Sequence, residues 1–157
     1  MTWGNPPKFV SDVPKKGKRI TPEMLAASGT EDGSQCAVFA WAADNCGQYP
    51  ELKWLHSIPN GGSRHIVEAG KMVAAGLRSG VWDIFLPCPI QTEWAKMYAG
   101  LYIEMKEGKR RNHKNGGLSE EQLEFGSYAK RMGYFCSVCY TWEEARDIIV
   151  IYLELKA

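Results

Sequence analysis

The stretch Gly76-Leu77-Arg78-Ser79-Gly80-Val81-Trp82-Asp83-Ile84-Phe85-Leu86-Pro87-Cys88-Pro89, followed after a short polar and aromatic insert by Gly100-Leu101-Tyr102-Ile103-Glu104-Met105-Lys106, decides the fold. Val81 to Leu86 and Leu101 to Met105 are rich in β-branched and aromatic residues and bounded by Gly and Pro, so each reads as a strand. Alternation puts Val81, Asp83 and Phe85 on one face of the first, and Trp82, Ile84 and Leu86 on the other. In the second strand Ile103 and Met105 point one way; Tyr102, Glu104 and Lys106 point the other. If the strands pair with their aliphatic faces on one side, Asp83 and Glu104 emerge together, with Lys106 two positions further along.

That patch suits phosphodiester hydrolysis. Two converging carboxylates can hold a hard divalent cation such as magnesium, which takes oxygen ligands and keeps several waters. Such a cation activates water and neutralises charge on a phosphate. An ammonium two residues along can contact the phosphate or the attacking water as a compact point charge. Taken alone, Asp with Glu-x-Lys also suits a solvated strand face carrying a surface ion pair of little energetic worth. The neighbours must decide between the two.

A chain of 157 residues is long enough for one domain with a proper core and too short to suggest two. Hydrophobic residues at 45% and charged residues at 24% are ordinary for a soluble globular protein. No segment reaches the apolar length of a membrane span and the N-terminus has no hydrophobic signal core, so we read a cytoplasmic protein with no membrane partner. The net charge of +1 hides an uneven distribution. Lys15, Lys16, Lys18 and Arg19 sit in a Pro- and Gly-containing arm, which reads as solvated. Lys109, Arg110, Arg111 and Lys114 sit in a Gly-bounded loop straight after the Glu-x-Lys strand, where a polyanionic substrate would need them. Five cysteines without a secretory context argue for reduced thiols. Cys136 and Cys139 have C-x-x-C spacing but fall in a strand, where positions three apart face opposite sides, and no second pair completes a tetrahedral site.

In chain order, residues 1 to 20 form an arm without periodicity, read as flexible until it meets a partner. Thr21-Pro22 opens a short helix through Ala27. A longer helix runs from about Glu31 or Ser34 to Cys46, with Glu31 and Gln35 on one face of its first turn. Pro50 to Gly62 reads as irregular. Arg64 to Ala75 is helical, and its small residues would let it lie close against the sheet. His65 after a Gly-rich turn is a surface residue. Ser119 to Gln122 has capping-box spacing, with Leu118 and Leu123 as a staple, so Gln122 has a complete structural explanation that any functional role must compete with. Tyr134 to Tyr140 is a third strand. Thr141 to Glu144 is a second capping box, opening a helix with Ala145, Ile148, Ile149, Tyr152 and Leu153 on one face.

From roughly Glu31 to Tyr152 the chain resembles the VRR-NUC family, a branch of the PD-(D/E)XK nuclease superfamily. Five ordered segments carry the likeness: Glu31 with Gln35; Ile58-Pro59-Asn60-Gly61-Gly62 with Arg64; Gly76 to Asp83; Gly100 to Lys106; and Leu118-Ser119 with Gln122. The resemblance implies an α/β fold with a restriction-endonuclease-like core, a central mixed sheet flanked by helices. It divides the chain into an arm and short helix at 1–29 and a nuclease domain at 30–157. It implies a metal-dependent endodeoxyribonuclease using Mg2+ or Mn2+, with Asp83 and Glu104 as metal ligands and Lys106 as the catalytic lysine. Glu31 would complete or orient the metal site, with Glu68 as an alternative carboxylate, and Gln122 would be the helix amide facing it. Arg64 and Arg78 join Lys109, Arg110, Arg111 and Lys114 as candidate DNA contacts. One departure stands out: members usually have Pro before the catalytic Asp, and here it is Trp82, whose side of the strand predicts altered packing and no lost ligand. Stand-alone members of phage and bacterial type look like homodimeric Holliday-junction resolvases. We therefore expect a dimer cutting four-way DNA junctions, against a flap- or duplex-directed repair or restriction nuclease, or a non-catalytic DNA-binding module.

Overall fold

The computed structural model describes residues 20–59 and 66–156. The N-terminal arm, His65 and Arg64 lie outside the described residues, as does the side chain of Glu68. Helices α1 (Pro22–Ala26) and α2 (Glu31–Asn45) come first, each opened by a threonine whose hydroxyl accepts a first-turn N–H: Thr21 from Met24 and Thr30 from Gly33. A 3-10 turn at Pro50–Trp54 leads into the short strand β1 (His56–Ser57), and helix α3 (Ile66–Ala74) follows. Next come β2 (Ile84–Leu86), a hairpin of β3 (Ile90–Gln91) and β4 (Met97–Tyr98), and β5 (Leu101–Met105). Helix α4 (Glu120–Arg131), strand β6 (Phe135–Cys139) and helix α5 (Trp142–Glu154) complete the fold.

The main sheet has the order β1-β2-β5-β6. β1 and β5 run antiparallel to β2, whereas β6 runs parallel to β5. A parallel neighbour needs a crossover connection, which α4 supplies. The sheet is thus mixed and flanked by helices, as expected. Its aliphatic face carries Ile84, Leu86, Leu101, Ile103 and Met105, all at most 1% exposed, in one core with Ala37 and Val38 of α2 and Ala145 and Ile149 of α5. Each fully buried Leu or Ile contributes about 2 kcal/mol, which is why this face fixes the register. The other face is aromatic: Phe85 stacks on Tyr102 at 4.4 Å, and Tyr102 meets Phe125 of α4 edge-on at 5.1 Å.

Several expectations need correction. The first strand begins at Ile84 and not at Val81: the Asp83 side chain, in place of a strand carbonyl, accepts the Met105 N–H at 2.9 Å. Pro50 to Gly62 is not wholly irregular, since it contains the 3-10 turn and edge strand β1. Among its described side chains, helix α3 presses no small residue on the sheet: Gly70 has nothing within 4 Å of an added Cβ, and Val73 is 57% exposed. At α5 the box is displaced. Thr141 accepts the Glu144 N–H, but the Glu144 carboxylate reaches back one residue further, to the Tyr140 N–H at 2.9 Å. Among the described residues, no helix is long and apolar enough to cross a membrane. All five cysteines are free thiols. Burial pushes Cys136 and Cys139 up to about 11, so neither is poised for thiolate chemistry.

Candidate active site

The β2–β5 register pairs Ile84 with Ile103, and one step further places Asp83 opposite Glu104. Lys106 follows two residues along the same face. Its Nζ lies 2.6 Å from Glu104 Oε1 and 3.3 Å from Glu31 Oε1, which comes in from the first turn of α2. Gln122, in the first turn of α4, donates its Nε2 to the same Glu104 oxygen. Five residues scattered over more than ninety positions of sequence thereby converge. Asp83 is held at its backbone too, its carbonyl accepting the Ile58 N–H at 2.7 Å.

Gln122 resolves the expected competition by dividing its side chain. Oε1 accepts the Ser119 N–H at 3.0 Å and completes the capping box, while Nε2 is left for Glu104. The cap fixes the rotamer that the site uses. Spacing alone reveals the cap; only the third dimension brings Glu104 to the other end of the amide.

Glu104 is the centre of the electrostatics. It is 0% exposed. Desolvation, with the Asp83 charge adding to it, pushes its carboxyl up to about 8 against the pull of Lys106. Lys106 is itself nearly buried, which works against its charge. Its hydrogen bond to Glu104 and the fields of Glu104, Glu31 and Asp83 outweigh that and raise it. With Oε1 taking both donors, Glu104 Oε2 is buried without a hydrogen-bond partner. An orphaned carboxylate oxygen of this kind costs about 1–3 kcal/mol or more, so it marks a position where a further group belongs.

That group fits a hard cation. Among the described residues no three Asp, Glu, His or Cys side chains close into a ready cage, and Glu31 reaches the centre through Lys106. Magnesium does not need such a cage, because it binds through one or two carboxylates and retains waters. Asp83 and the free oxygen of Glu104 meet that requirement.

The basic residues are arranged less simply. Arg78 is exposed and borders a cleft of about 420 Å3 lined also by Ile58, Met72, Leu77 and Val81, the last of these standing two positions before Asp83. The loop after Lys106 borders another, of about 400 Å3, lined by Ser34, Lys109, Tyr140 and Thr141. Both clefts flank the carboxylates and neither contains them. In the loop, Lys109 pairs with Glu107 at 2.7 Å and Arg110 lies 4.0 Å from the same carboxylate. Arg111 pairs with Glu144 and lies 4.4 Å over the Tyr140 ring. Lys114 is exposed and has no ion pair among the described residues. Sequence reasoning missed the acids that pair with three of these four cations: Glu107, in the same loop, meets Lys109 and Arg110, and Glu144, which meets Arg111, lies more than thirty residues away.

Fold and site together define an α/β domain with an acid, acid and lysine centre at two adjacent strands. No protein-family model matches the chain, and no curated protein matches it either. Among solved structures, one described as a VRR_NUC domain protein superposes with a TM-score of 0.60 at 23% identity, covering 81% of this chain and 90% of that one. The chain has the fold of a VRR-NUC domain.

Proposed function

We propose that this protein is a divalent-metal-dependent DNA endonuclease, and that its substrate is a four-way junction cut by a twofold dimer. The observation that carries the chemistry is Glu104: fully buried, one oxygen gripped by Lys106 and Gln122, the other bare and set opposite Asp83. A surface ion pair would have no reason to sequester a carboxylate at this cost.

Asp83 and Glu104 would hold Mg2+ or Mn2+, with Glu31 steadying the lysine between them. When bound, the cation supplies Lewis-acid neutralisation of the phosphodiester. Gln122 holds Glu104 by Oε1, which leaves Oε2 without a hydrogen-bond partner. The Met105 N–H holds Asp83 Oδ2 and so fixes the carboxylate beside Glu104. Lys106, kept protonated by its carboxylate neighbours, orients the phosphate or the incoming water and stabilises charge developing on the phosphoryl oxygens. The exposed cations Arg78, Arg110, Arg111, Lys109 and Lys114, with Arg64, would follow the DNA backbone.

The junction and the dimer are supported by symmetry: a four-way junction offers two equivalent strands, and a twofold pair of sites matches them. The test is cleavage of labelled junction, flap and duplex in Mg2+, Mn2+ or EDTA, with oligomeric state read by light scattering. Paired symmetric junction cuts by a dimer, lost in EDTA and in Asp83→Ala and Lys106→Ala while binding persists, are expected. Full activity in either variant overturns the site. Cuts confined to flap or duplex overturn the junction reading and keep the chemistry.

A further inference from the structure

Trp82 is the residue before Asp83 and is 2% exposed. Its indole does more than fill space. Nε1–H, the only donor an indole has, is given to the main-chain carbonyl of Gln122 at 2.9 Å. Two glycines permit this approach. A Cβ on Gly126, one turn further along α4, would lie 2.5 Å from the indole Cζ2. A Cβ on Gly80, whose φ is +84°, would lie 2.6 Å from the backbone of Glu121. Gly80 and Trp82 therefore lie flush against the first turns of α4. The residue whose carbonyl takes the indole is the one whose amide grips Glu104, and the residue after the indole is the other acid of the site.

We infer that Trp82 is a positioning residue: it clamps the first turn of α4 to the Asp83 segment, so that the Gln122 amide and the Asp83 carboxylate are delivered to Glu104 as one rigid unit. This rests on the nuclease reading of the centre. The side chain of Gln122 is fixed at one end by Ser119, and Trp82 fixes the backbone it hangs from. Without the clamp, α4 can slide along the aromatic face of the sheet, and a shift of about 1 Å at a reacting centre is enough to cost a large factor in rate. A Trp82 that served only as core packing would lower stability without acting through Gln122.

The test is a double-mutant cycle of Trp82→Phe and Gln122→Ala, read on junction cleavage in Mn2+ and on the Gln122 side-chain amide in metal-free protein. Trp82→Phe keeps an aromatic ring and removes the donor. It is expected to lower kcat roughly five- to tenfold with KM nearly unchanged, and to have no further effect in the Gln122→Ala background. Equal losses in both backgrounds overturn the inference. In the 15N–1H spectrum, the Gln122 amide, assigned by its absence in Gln122→Ala, is expected to exchange several-fold faster in Trp82→Phe; an unchanged amide overturns the inference. A wild type that cleaves nothing overturns the nuclease reading, and the amide measurement then still decides whether Trp82 clamps α4. If Trp82→Phe does not melt cooperatively, Trp82→Tyr, closer in volume to the indole, takes its place under the same criteria.

Discussion

At the scale of single residues, Glu104 sets the protein's response to pH. Its carboxyl is raised from 4.5 to about 8 in the folded state, chiefly by burial and then by Asp83. Between those values the folded chain holds a proton that the unfolded chain has released, so metal-free stability falls as pH rises across that window. The slope is at most about 1.4 kcal/mol per pH unit. Lys106 is also raised, from 10.5, so its contribution is fully present throughout the window and is lost only above it. Glu107 and Glu51 are lowered, the first mainly by its hydrogen bond to Lys109 and the second by its bond to Lys156, so their contributions are lost below 4.5. Glu104 thus dominates the limb from 4.5 to 8. Melting in EDTA across that range should show Tm declining for wild type and a flatter profile for Glu104→Gln. Added Mg2+ should flatten the wild-type limb too, since a bound cation favours the ionised carboxylate. Parallel wild-type and variant profiles would remove Glu104 from this role.

At the scale of elements, the helix caps separate what folds the chain from what arms it. Ser119 opens α4 and Thr141 opens α5, and each hydroxyl accepts an N3 amide at 3.2 Å. Replacing either by Ala should cost about 1 kcal/mol and lower Tm by a few degrees. Only Ser119→Ala should also lower kcat, because the turn it stabilises carries Gln122. Calorimetry beside cleavage kinetics checks the pair, and a matching activity loss in Thr141→Ala would argue against a special role for the α4 turn. These caps, β5, β6 and the apolar face of α5 were legible in the sequence because each rests on local chemistry or strict periodicity. So was the meeting of Asp83, Glu104 and Lys106, which needed only alternation and one pairing. The short strands β1, β3 and β4 were not legible, since two residues carry no period. The exposure of α3 was also hidden, as small residues are compatible with either a packed or an open face. The Trp82 to Gln122 bond and the divided Gln122 side chain depend on how α4 crosses the sheet, which no local pattern encodes.

At the scale of the whole molecule, the question is how a chain of net charge +1 would hold a polyanion. Charge at the surface must be local, and much of the basic loop is already committed to acids of the same chain. Exposed pairs such as Lys109–Glu107 are worth about 0–1 kcal/mol, so a phosphate can displace them at small cost. Arg111 is different, because it stands over Tyr140 and pairs with Glu144, whose other oxygen holds the Tyr140 N–H. Removing it disturbs the junction of the loop with α5. Lys114 is exposed and tied to no acid among the described residues, so it can meet a phosphate without giving anything up. We therefore expect Lys114→Ala to weaken junction binding without changing Tm, and to reduce the slope of log K against log salt by about 0.9, the release associated with one phosphate contact. Arg111→Ala should lower Tm as well as affinity. Titrations of labelled junction against the Asp83→Ala protein in EDTA, at several salt concentrations, measure both slopes without cleavage. An unchanged slope for Lys114→Ala would mean that the DNA runs elsewhere, and the cleft bordered by Arg78 would become the surface to examine.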